Sequence, residues 1–590
     1  MAWYDQAVFY HIYPLGLTGA PKQNPYGEPV HRLNTLLPWI EHIRRIGCNA
    51  LYIGPLFESV GHGYETTDYF KLDSRLGTND DLRDFVAECH RQGIRVILDG
   101  VFNHVGRDFF AFRDLKQNRE NSQYRDWFCN VNFWNNNDYN DGFSYDNWGG
   151  YNLLVKLNQR HWAVRDHICS AISMWVREFD IDGLRLDAAD VLDFEFMRAL
   201  RQLADEIKPE FWLMGEVIHG QYDRWANRNT LHSVTDYALH KGLYSGHNEH
   251  NYFEIAHTVK RLYNDMGLNH QNSLRLYSFV DNHDVERIAT KLREKEHYTP
   301  VHILLYTLPG IPSVYYGSEF GIQGKKERHS DDSLRPALNL ADFADAYENN
   351  PCTRLVSVLG KARQNIPALT QGEYKELCLT TRQYAFARTL GEKTVLVAVN
   401  NDGNSADMRI PAENGREYTG LLTGEKRTAR DGVLCCTIRG NSGEIWVPAG
   451  GGTLPEGEPV LRAIPQTEPA APAAAEPERA KAPERVSAAQ EAAKQEQEKK
   501  PAPPAPEKAA QAAEPAAKKT VSETPASEQE AVKLLVPVPD KPYEEMTVPE
   551  LQSAVLEKLA KNGPVTDRMR RDVEENIWKN SLINWVRSFR

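Results

Sequence analysis

Four short apolar runs in this sequence each deliver a polar side chain at their carboxyl end. The runs cover 94–99, 183–187, 212–216 and 277–284. Each is typical of a β-strand, because β-branched and aromatic residues lie between Gly, Asp and Pro. The first run leads into His104, and the other three end in the carboxylates Asp187, Glu216 and Asp284. Carboxylates that face each other across a cleft are suited to chemistry at a glycosidic bond.

The residues beside these carboxylates indicate different tasks. Arg185 lies two positions before Asp187, so both side chains point to one face of a strand, and the cation favours an ionised nucleophile. Glu216 follows an apolar strand that should desolvate its carboxyl group and suit it to a general acid. Asp284 follows His283 and is placed to stabilise positive charge on a sugar. Taken singly, each of these carboxylates could equally be a structural ion pair or a strand cap.

Elements that position such groups alternate along residues 1–365. Strands are predicted at 8–13, 50–54, 233–237 and 313–316 and at runs ending at Asp99, Asp187, Glu216 and Asn282, with amphipathic helices at 34–46, 80–91, 164–179 and 194–207. Asp187 and Glu216 are one βα repeat of about 30 residues apart. Eight strands separated by helices predict a (β/α)8 TIM barrel. A doubly wound open sheet is the alternative, but its glycine-rich phosphate loop is missing after the first strand.

Five segments follow from the changes in pattern. The catalytic barrel is predicted at 1–104 and 159–365, with a small insertion domain at 105–158 after the third strand. Short alternating runs at 366–452 predict an antiparallel β-sandwich. Residues 453–535 are rich in Ala, Pro, Glu and Lys and predict a disordered linker. Residues 536–590 predict a helical hairpin, which begins at a capping box of Thr547 and Glu550. A hairpin this small is not expected to be stable alone, so we expect it to pair with itself, with the barrel or with another protein; the alternative is a solubility tail.

Composition excludes several classes of protein. The net charge of −12 argues against nucleic-acid binding, and no apolar window is long enough to predict a membrane helix. No secretory signal is visible. The eight cysteines are scattered, which predicts free thiols in a reducing cytoplasm. Aromatic residues crowd the insertion, and most are expected to form its core: Trp127, Phe128, Phe133, Trp134, Tyr139, Phe143, Tyr145 and Trp148.

Four segments resemble the ordered signature regions of the α-amylase family, glycoside hydrolase family thirteen. They are residues 99–104, 183–187, 215–217 and 279–284. A fifth segment, 154–158, is similar to the Met-Pro-Lys-Leu-Asn region of cyclomaltodextrinases, neopullulanases and maltogenic amylases, with Leu-Val in place of Met-Pro. That group usually carries an N-terminal β-domain that helps to form a dimer. Here the first strand is predicted within about ten residues, so neither that domain nor that dimer is expected.

The resemblance implies a role for each matching residue in a retaining double displacement. Asp187 matches the nucleophile, Glu216 the acid/base and Asp284 the carboxylate that stabilises the transition state. The substrate-binding set is Tyr64, Asp99, His104, Arg185, His283, Asp331 and Arg335. Asp332 is an equal candidate for the acidic partner of Arg335. Asn103 matches a calcium ligand of many relatives, and the Asn- and Asp-rich run 135–141 could supply further oxygens. Calcium needs six to eight oxygens and such runs are more often turns, so calcium is left open and no cofactor is assigned.

These observations predict an enzyme that hydrolyses α-1,4 bonds in maltooligosaccharides or cyclodextrins, with or without glycosyl transfer. The first alternative is an α-1,6-glucosidase or glucosyltransferase of the same family. The second is a catalytically silent sugar-binding or scaffold protein. Relatives of that kind lose at least one of the three carboxylates, and this sequence retains all three.

Overall fold

A computed structural model describes residues 2–265, 275–328, 330–455, 457, 459–462, 539, 541–562 and the positions 570, 573, 582 and 586. The chain divides into two compact units, Met1–Ala471 and Pro472–Arg590. No helix in the described part of the chain is long and apolar enough to cross a membrane.

Eight parallel strands form the central sheet of the first unit. They are β1 (Phe9–Ile12), β2 (Ala50–Ile53), β3 (Arg95–Gly100), β4 (Gly183–Leu186), β5 (Trp212–Gly215), β6 (Ser233–Val234), β7 (Tyr277–Phe279) and β8 (Ile311–Tyr315). They neighbour one another in the order β6-β5-β4-β3-β2-β1-β8-β7. A parallel bridge between Thr235 and Tyr277 joins the two ends of this sheet. The predicted (β/α)8 barrel is therefore confirmed.

Helices follow most of these strands and cover the outside of the barrel. The longer ones are Leu37–Arg45, Asn79–Arg91, Trp162–Phe179, Phe194–Ile207, Tyr237–Asn248, Tyr252–Lys260, Tyr298–Thr307 and Pro351–Asn365. Thr78 caps the second helix, because its hydroxyl accepts from the Asp81 amide while the Asp81 carboxylate accepts from the Thr78 amide. Inside the sheet, a separate buried cluster includes Phe9, Trp212 and Tyr277. Large side chains from different strands fill a barrel in this way.

The insertion after β3 forms a small layer of its own. It contains the helix Phe110–Asn118 and a three-stranded sheet of His104–Val105, Tyr151–Lys156 and Asn147–Trp148. Its aromatic residues divide into two groups. Trp127, Phe128, Phe143 and Tyr145 are buried and Phe133 packs partly buried against the core, whereas Trp134, Tyr139 and Trp148 are exposed. Most of the eight therefore belong to the core, as expected. An exposed ring leaves apolar area in water, so pattern alone did not reveal which rings the fold would cover.

Residues beyond the barrel form two antiparallel sheets, as the sequence predicts. The larger sheet contains, in order, Glu373–Leu379, Gln383–Leu390, Lys393–Asn400, Ser442–Pro448, Glu417–Gly420 and Lys426–Thr428, and the smaller pairs Ala406–Pro411 with Val433–Ile438. Side chains from both sheets, among them Leu396, Met408 and Trp446, pack into one buried cluster. Adjacent Cys435 and Cys436 are exposed and buried respectively, which the alternation of a strand requires.

The second unit contains the helix Val548–Asn562. Its start is the predicted capping box, in which the Thr547 amide donates to Glu550 Oε2 at 2.6 Å. The predicted linker falls almost entirely outside the described residues, and so does most of the second predicted helix. Val573 and Leu582 are described, and they are buried with Leu551 and Val555 of the first helix. The apolar spacing of the tail therefore builds a small core.

Candidate active site

Arg185 and Asp187 lie at the carboxyl end of β4. Arg185 lies two positions before Asp187, and its side chain is only 3% exposed. Its Nη1 donates to Asp187 Oδ1 at 2.8 Å and to Asp99 Oδ1, at the end of β3, at 2.8 Å. One buried cation thus orients carboxylates from two neighbouring strands.

Glu216 follows β5 and completes the contacts of the same guanidinium. Its Oε2 lies 2.8 Å from Arg185 Nη2 and accepts from the Ala188 amide at 3.0 Å. Ala188 adopts a left-handed backbone with φ of 45°, which is uncommon for a residue with a side chain. This turn directly after Asp187 aims the amide at the Glu216 carboxylate.

Asp284 reaches the same end of the barrel from the segment after β7. Its Oδ2 lies 3.0 Å from His283 Nε2, and its Oδ1 accepts from Arg335 Nη2 at 2.8 Å. Arg335 also donates from Nε to the His283 carbonyl oxygen at 2.9 Å. The Asp284 amide donates to Asn282 Oδ1 at 2.8 Å, which holds the turn. Arg335 and His283 therefore position this third carboxylate.

The electrostatics of Asp187 and Asp284 differ. Burial raises the pKa of Asp187 well above its usual value; Arg185 acts to lower it, and the charge of Glu216 adds to the rise. For Asp284, burial is opposed by His283 and Arg335, which hold its pKa well below the usual range. The sequence predicted that Arg185 would favour the ionised form of Asp187. The cost of burying the charge outweighs that attraction. The neighbouring carboxylates add to the effect, because carboxylates that share one site retain a proton between them.

Asp99 lies beneath these groups and is fully buried. It accepts from the hydroxyl groups of Tyr52 at 2.9 Å and Tyr64 at 3.1 Å, in addition to Arg185. Gly54 makes this placement feasible, since a Cβ there would lie 2.4 Å from the Asp99 Cβ. A side chain at position 54 would push Asp99 away from Arg185.

Tyr64 is more buried than a ring whose only role is to stack on a sugar would be. Its ring stacks on His283 with centroids 5.7 Å apart and planes inclined by 13°, and only 9% of the residue is exposed. Its hydroxyl lies 2.5 Å from His283 Nε2. Tyr64 therefore orients the imidazole beside Asp284 and leaves little ring area uncovered.

His104 is buried at the base of the insertion. Burial lowers its pKa to about 3, so the imidazole is neutral at pH 7. Among the described residues, its Nε2 has no hydrogen-bond partner, and neither has Nδ1 of His283. Such atoms cost free energy unless something satisfies them. The exposed ring of Trp148 lies 5.9 Å from the His104 ring.

Asp331 and Asp332 have different partners. Asp331 Oδ2 accepts from Arg335 at 3.3 Å, whereas Asp332 pairs with Lys22 on the exposed surface. Arg335 joins Asp331 to Asp284, so Asp331 belongs to the rim of the site and Asp332 lies outside it.

Comparison with known proteins agrees with this geometry. Residues 32–355 match the family model described as alpha amylase, catalytic domain, and residues 372–446 match the alpha-amylase C-terminal domain. The chain belongs to the alpha-amylase family. It is a glycoside hydrolase with a (β/α)8 catalytic barrel and a C-terminal β-sandwich, as its signature segments predict.

Several relatives of this alpha-amylase family chain are named cyclomaltodextrinase or neopullulanase. It is 30% identical to a cyclomaltodextrinase from a Bacillus species over 68% of this chain and 74% of that protein. It is 29% identical to neopullulanase 2 of Thermoactinomyces vulgaris over 75% of this chain and 78% of that protein. The solved structure of a cyclomaltodextrinase aligns with a TM-score of 0.67 at 26% identity, covering 75% of this chain and 78% of the other.

Two tyrosines at the site of this alpha-amylase family member were not predicted from the sequence. Tyr13 directly follows β1; its ring stacks on His283 with centroids 5.9 Å apart, and the Arg335 guanidinium lies 4.7 Å from its centre. Tyr237 follows β6, and its buried hydroxyl accepts from Asn282 Nδ2 at 3.2 Å. Both stand at carboxyl ends of barrel strands. Their positions at strand ends could have identified them from the sequence, but neither side chain is charged, so neither was singled out.

Calcium does not fit the oxygens that the insertion offers. In the Asn- and Asp-rich run, Asp141 accepts from Arg107 at 2.8 Å and from the Asn137 amide at 2.8 Å, and Asp138 accepts from Asn152. A cation ligand needs free oxygens, and these are engaged by donors of the protein. Asn103 supplies a buried Oδ1 without a partner among the described residues, which is one oxygen of the several required. No step of the reaction is routed through calcium.

Proposed function

We propose that this enzyme hydrolyses α-1,4-glucosidic bonds of maltooligosaccharides or cyclodextrins with retention of anomeric configuration. The supporting observation is the Arg185 guanidinium, which contacts both Asp187 and Glu216 at 2.8 Å while Asp284 stands at the same end of the barrel. The names of the relatives, cyclomaltodextrinase and neopullulanase, favour these substrates.

The first half-reaction transfers the glycosyl group to the protein. An Asp187 oxygen attacks the anomeric carbon, the bond from that carbon to the leaving oxygen breaks, and the Glu216 carboxyl group gives its proton to that oxygen. Developing positive charge on the sugar is stabilised by the Asp284 carboxylate, which its low pKa keeps ionised. Arg185 holds the two reacting carboxylates in place.

The second half-reaction releases the sugar. The ionised Glu216 takes a proton from a water molecule, the water oxygen bonds to the anomeric carbon, and Asp187 leaves as a carboxylate. Two inversions at one carbon restore the starting configuration. A sugar hydroxyl in place of water at this step gives a transfer product.

Substrate binding is assigned to polar groups around this centre. The unpartnered nitrogens of His104 and His283 suit the hydroxyl groups of the cleaved sugar, with Tyr64 and Asp99 holding His283 and Arg185. Asp331 and Arg335, at the rim, suit the next sugar. Burial of the unpartnered nitrogens would then be offset by hydrogen bonds to the ligand.

A panel of glucans tests this proposal and separates it from α-1,6 cleavage and from transfer. The enzyme is incubated with maltotriose, panose and β-cyclodextrin, the products are resolved by chromatography, and the first anomer is identified by NMR. We expect maltose and glucose from maltotriose, opening of the cyclodextrin and an initial α-anomer. Cleavage confined to the α-1,6 bond of panose would contradict the linkage, and an initial β-anomer would contradict the mechanism. Asp187→Asn, run in parallel, reports any contaminating activity.

The remaining segments are assigned in the same proposal. Residues 1–104 and 159–365 form the catalytic domain around the insertion 105–158, and 366–452 form the C-terminal domain. The tail at 536–590 serves as a protein-binding or self-association module, which its capped helix and buried apolar cluster support. A chain ending at residue 462 should keep the kcat and KM for maltotriose while its elution volume or its partners change. Unchanged association would oppose this role.

The eight cysteines are free, which suits a reducing cytoplasm.

A further inference from the structure

A second group of ligand-type side chains lies away from the catalytic carboxylates. His250 follows the helix Tyr237–Asn248, and Glu294 and His297 precede the helix Tyr298–Thr307. One potential ligand atom from each lies within 4.8 Å of the other two. In the described part of the chain, this is the one group of three His, Cys, Asp or Glu side chains that converges so closely.

The separations suit a common central ion. His250 Nε2 lies 3.0 Å from Glu294 Oε1, and His297 Nε2 lies 3.8 Å from Glu294 Oε2. Ligands bound to tetrahedral zinc at about 2.0–2.1 Å are separated from one another by roughly 3.3 Å. We propose that His250, Glu294 and His297 bind one zinc-class divalent ion, with water as the fourth ligand.

Neighbouring backbone and amide groups orient two of these ligands. His250 Nδ1 lies 2.6 Å from the carbonyl oxygen of Asn401, which can only accept a hydrogen bond. Nδ1 therefore carries a proton, and Nε2, which lies 3.0 Å from Glu294 Oε1, is the nitrogen that a metal ion would deprotonate and bind. Asn441 Nδ2 donates to Glu294 Oε2 at 3.2 Å and fixes the carboxylate. Metal sites in proteins commonly have such outer partners.

The charges around the group leave it able to bind a cation. His297 Nε2 also lies 3.3 Å from the Asn401 carbonyl oxygen, a long contact that the imidazole would exchange for the ion. Arg293, the adjacent cation, pairs with Glu249 at 2.9 Å and with the Asn248 carbonyl oxygen, so it does not neutralise Glu294. Two imidazoles and one carboxylate are ligands that zinc accepts and magnesium does not prefer.

The location defines what the ion would do. Asn401 follows the strand Lys393–Asn400, and Asn441 precedes the strand Ser442–Pro448, so both belong to the β-sandwich. The three ligands belong to the barrel. A bound ion would tie the barrel helices to the sandwich through the Asn401 and Asn441 contacts, and its binding free energy would add to the stability of that junction.

A simpler account is an ion pair between protonated His250 and Glu294. Such a pair at a partly exposed position contributes little to stability and needs no added ion. His250 is 23% exposed and Glu294 42% exposed, so both can be substituted without opening the core. The two accounts differ in whether zinc matters, which the following experiment decides.

The full chain is stripped with EDTA, dialysed, and titrated with zinc chloride by calorimetry, and its Tm is measured with zinc, with magnesium and with EDTA. We expect one zinc site, and a rise in Tm of about 5 °C at a hundredfold excess over Kd. His250→Ala and Glu294→Gln should each remove both effects, and magnesium should produce neither. Cobalt added in place of zinc should give the visible absorption of a tetrahedral site.

A matched control separates this site from adventitious binding. His31 also contacts a carboxylate, with Nδ1 2.6 Å from Asp81 Oδ2, but in the described part of the chain no second histidine joins this pair. His31→Ala should therefore keep the zinc-dependent rise in Tm. Equal zinc binding by His250→Ala and the unmodified chain would overturn the proposal, as would absence of stoichiometric binding to the unmodified chain. A loss of Tm in His250→Ala that is the same with EDTA as with zinc would assign the group to an ion pair and also overturn it.

Discussion

Arg185 Nη1 lies 2.8 Å from Asp187 Oδ1, between residues only two positions apart at the end of one barrel strand. The same guanidinium contacts Asp99 and Glu216, so one buried cation faces three carboxylates. Burial is the main reason that the pKa of Asp187 is raised in spite of the ion pair, and the negative charges of Glu216 and Asp99 add to the rise. Both catalytic and stability predictions follow from it.

Asp187→Asn should abolish turnover. An amide cannot form the glycosyl ester, so kcat on maltotriose should fall by at least about 10³-fold. Binding of the sugar, measured by calorimetry, should change little, since the cavity and the other polar groups remain. Asp205→Asn, on an exposed helical face, is the matched control and should keep normal kcat. Activity near that of the unmodified enzyme would refute the nucleophile assignment.

The same substitution should stabilise the fold at neutral pH. The pKa of Asp187 is higher in the folded than in the unfolded chain, where it is about 3.9. Ionisation therefore costs stability as the pH rises from the unfolded toward the folded pKa. Asn cannot ionise, so the variant should have the higher Tm at pH 7, and the difference should shrink toward pH 4. Scanning calorimetry at both values checks this, and a lower Tm at pH 7 would contradict it.

Loss of Arg335 should move the acid limb of the pH–rate profile. Arg335 and His283 oppose burial and hold the pKa of Asp284 low. Arg335→Gln removes one positive charge, so the pKa of Asp284 should rise and the acid limb of kcat/KM should shift to higher pH. Arg335→Lys keeps the charge and should shift it less. Profiles that coincide for all three proteins would show that Asp284 does not limit the rate at low pH.

Tyr13 should act through its ring more than through its hydroxyl. The ring stacks on His283 and lies under Arg335, whereas the hydroxyl donates to the His62 carbonyl oxygen at 2.6 Å. Tyr13→Phe keeps the stack and should reduce kcat/KM by less than about tenfold. Tyr13→Ala frees His283 and Arg335 and should cost roughly 10²-fold, since small misplacements of positioning groups are costly. Equal effects of the two variants would assign the role to the hydroxyl.

Much of the fold could be predicted from local pattern. The first run, at 94–99, is the strand Arg95–Gly100, and the helix predicted at 194–207 is Phe194–Ile207. Hydrophobic periodicity reports which face of an element is buried, and the sequence carries it directly. The strands Glu373–Leu379 and Lys426–Thr428 lie at the two edges of the larger sandwich sheet, and the sequence did not delimit them individually. Edge strands are polar and half-exposed, so they carry a weak pattern.

The sequence by itself determined the chemical types of the site and the strand ends that carry them. Only the tertiary structure decided that Asp331, not Asp332, contacts Arg335 and that Tyr13 and Tyr64 flank His283. It alone also brought His250 next to His297. Closure of the barrel sets these contacts between residues far apart in the chain, and spacing along the sequence does not encode which side chains meet across a closed sheet.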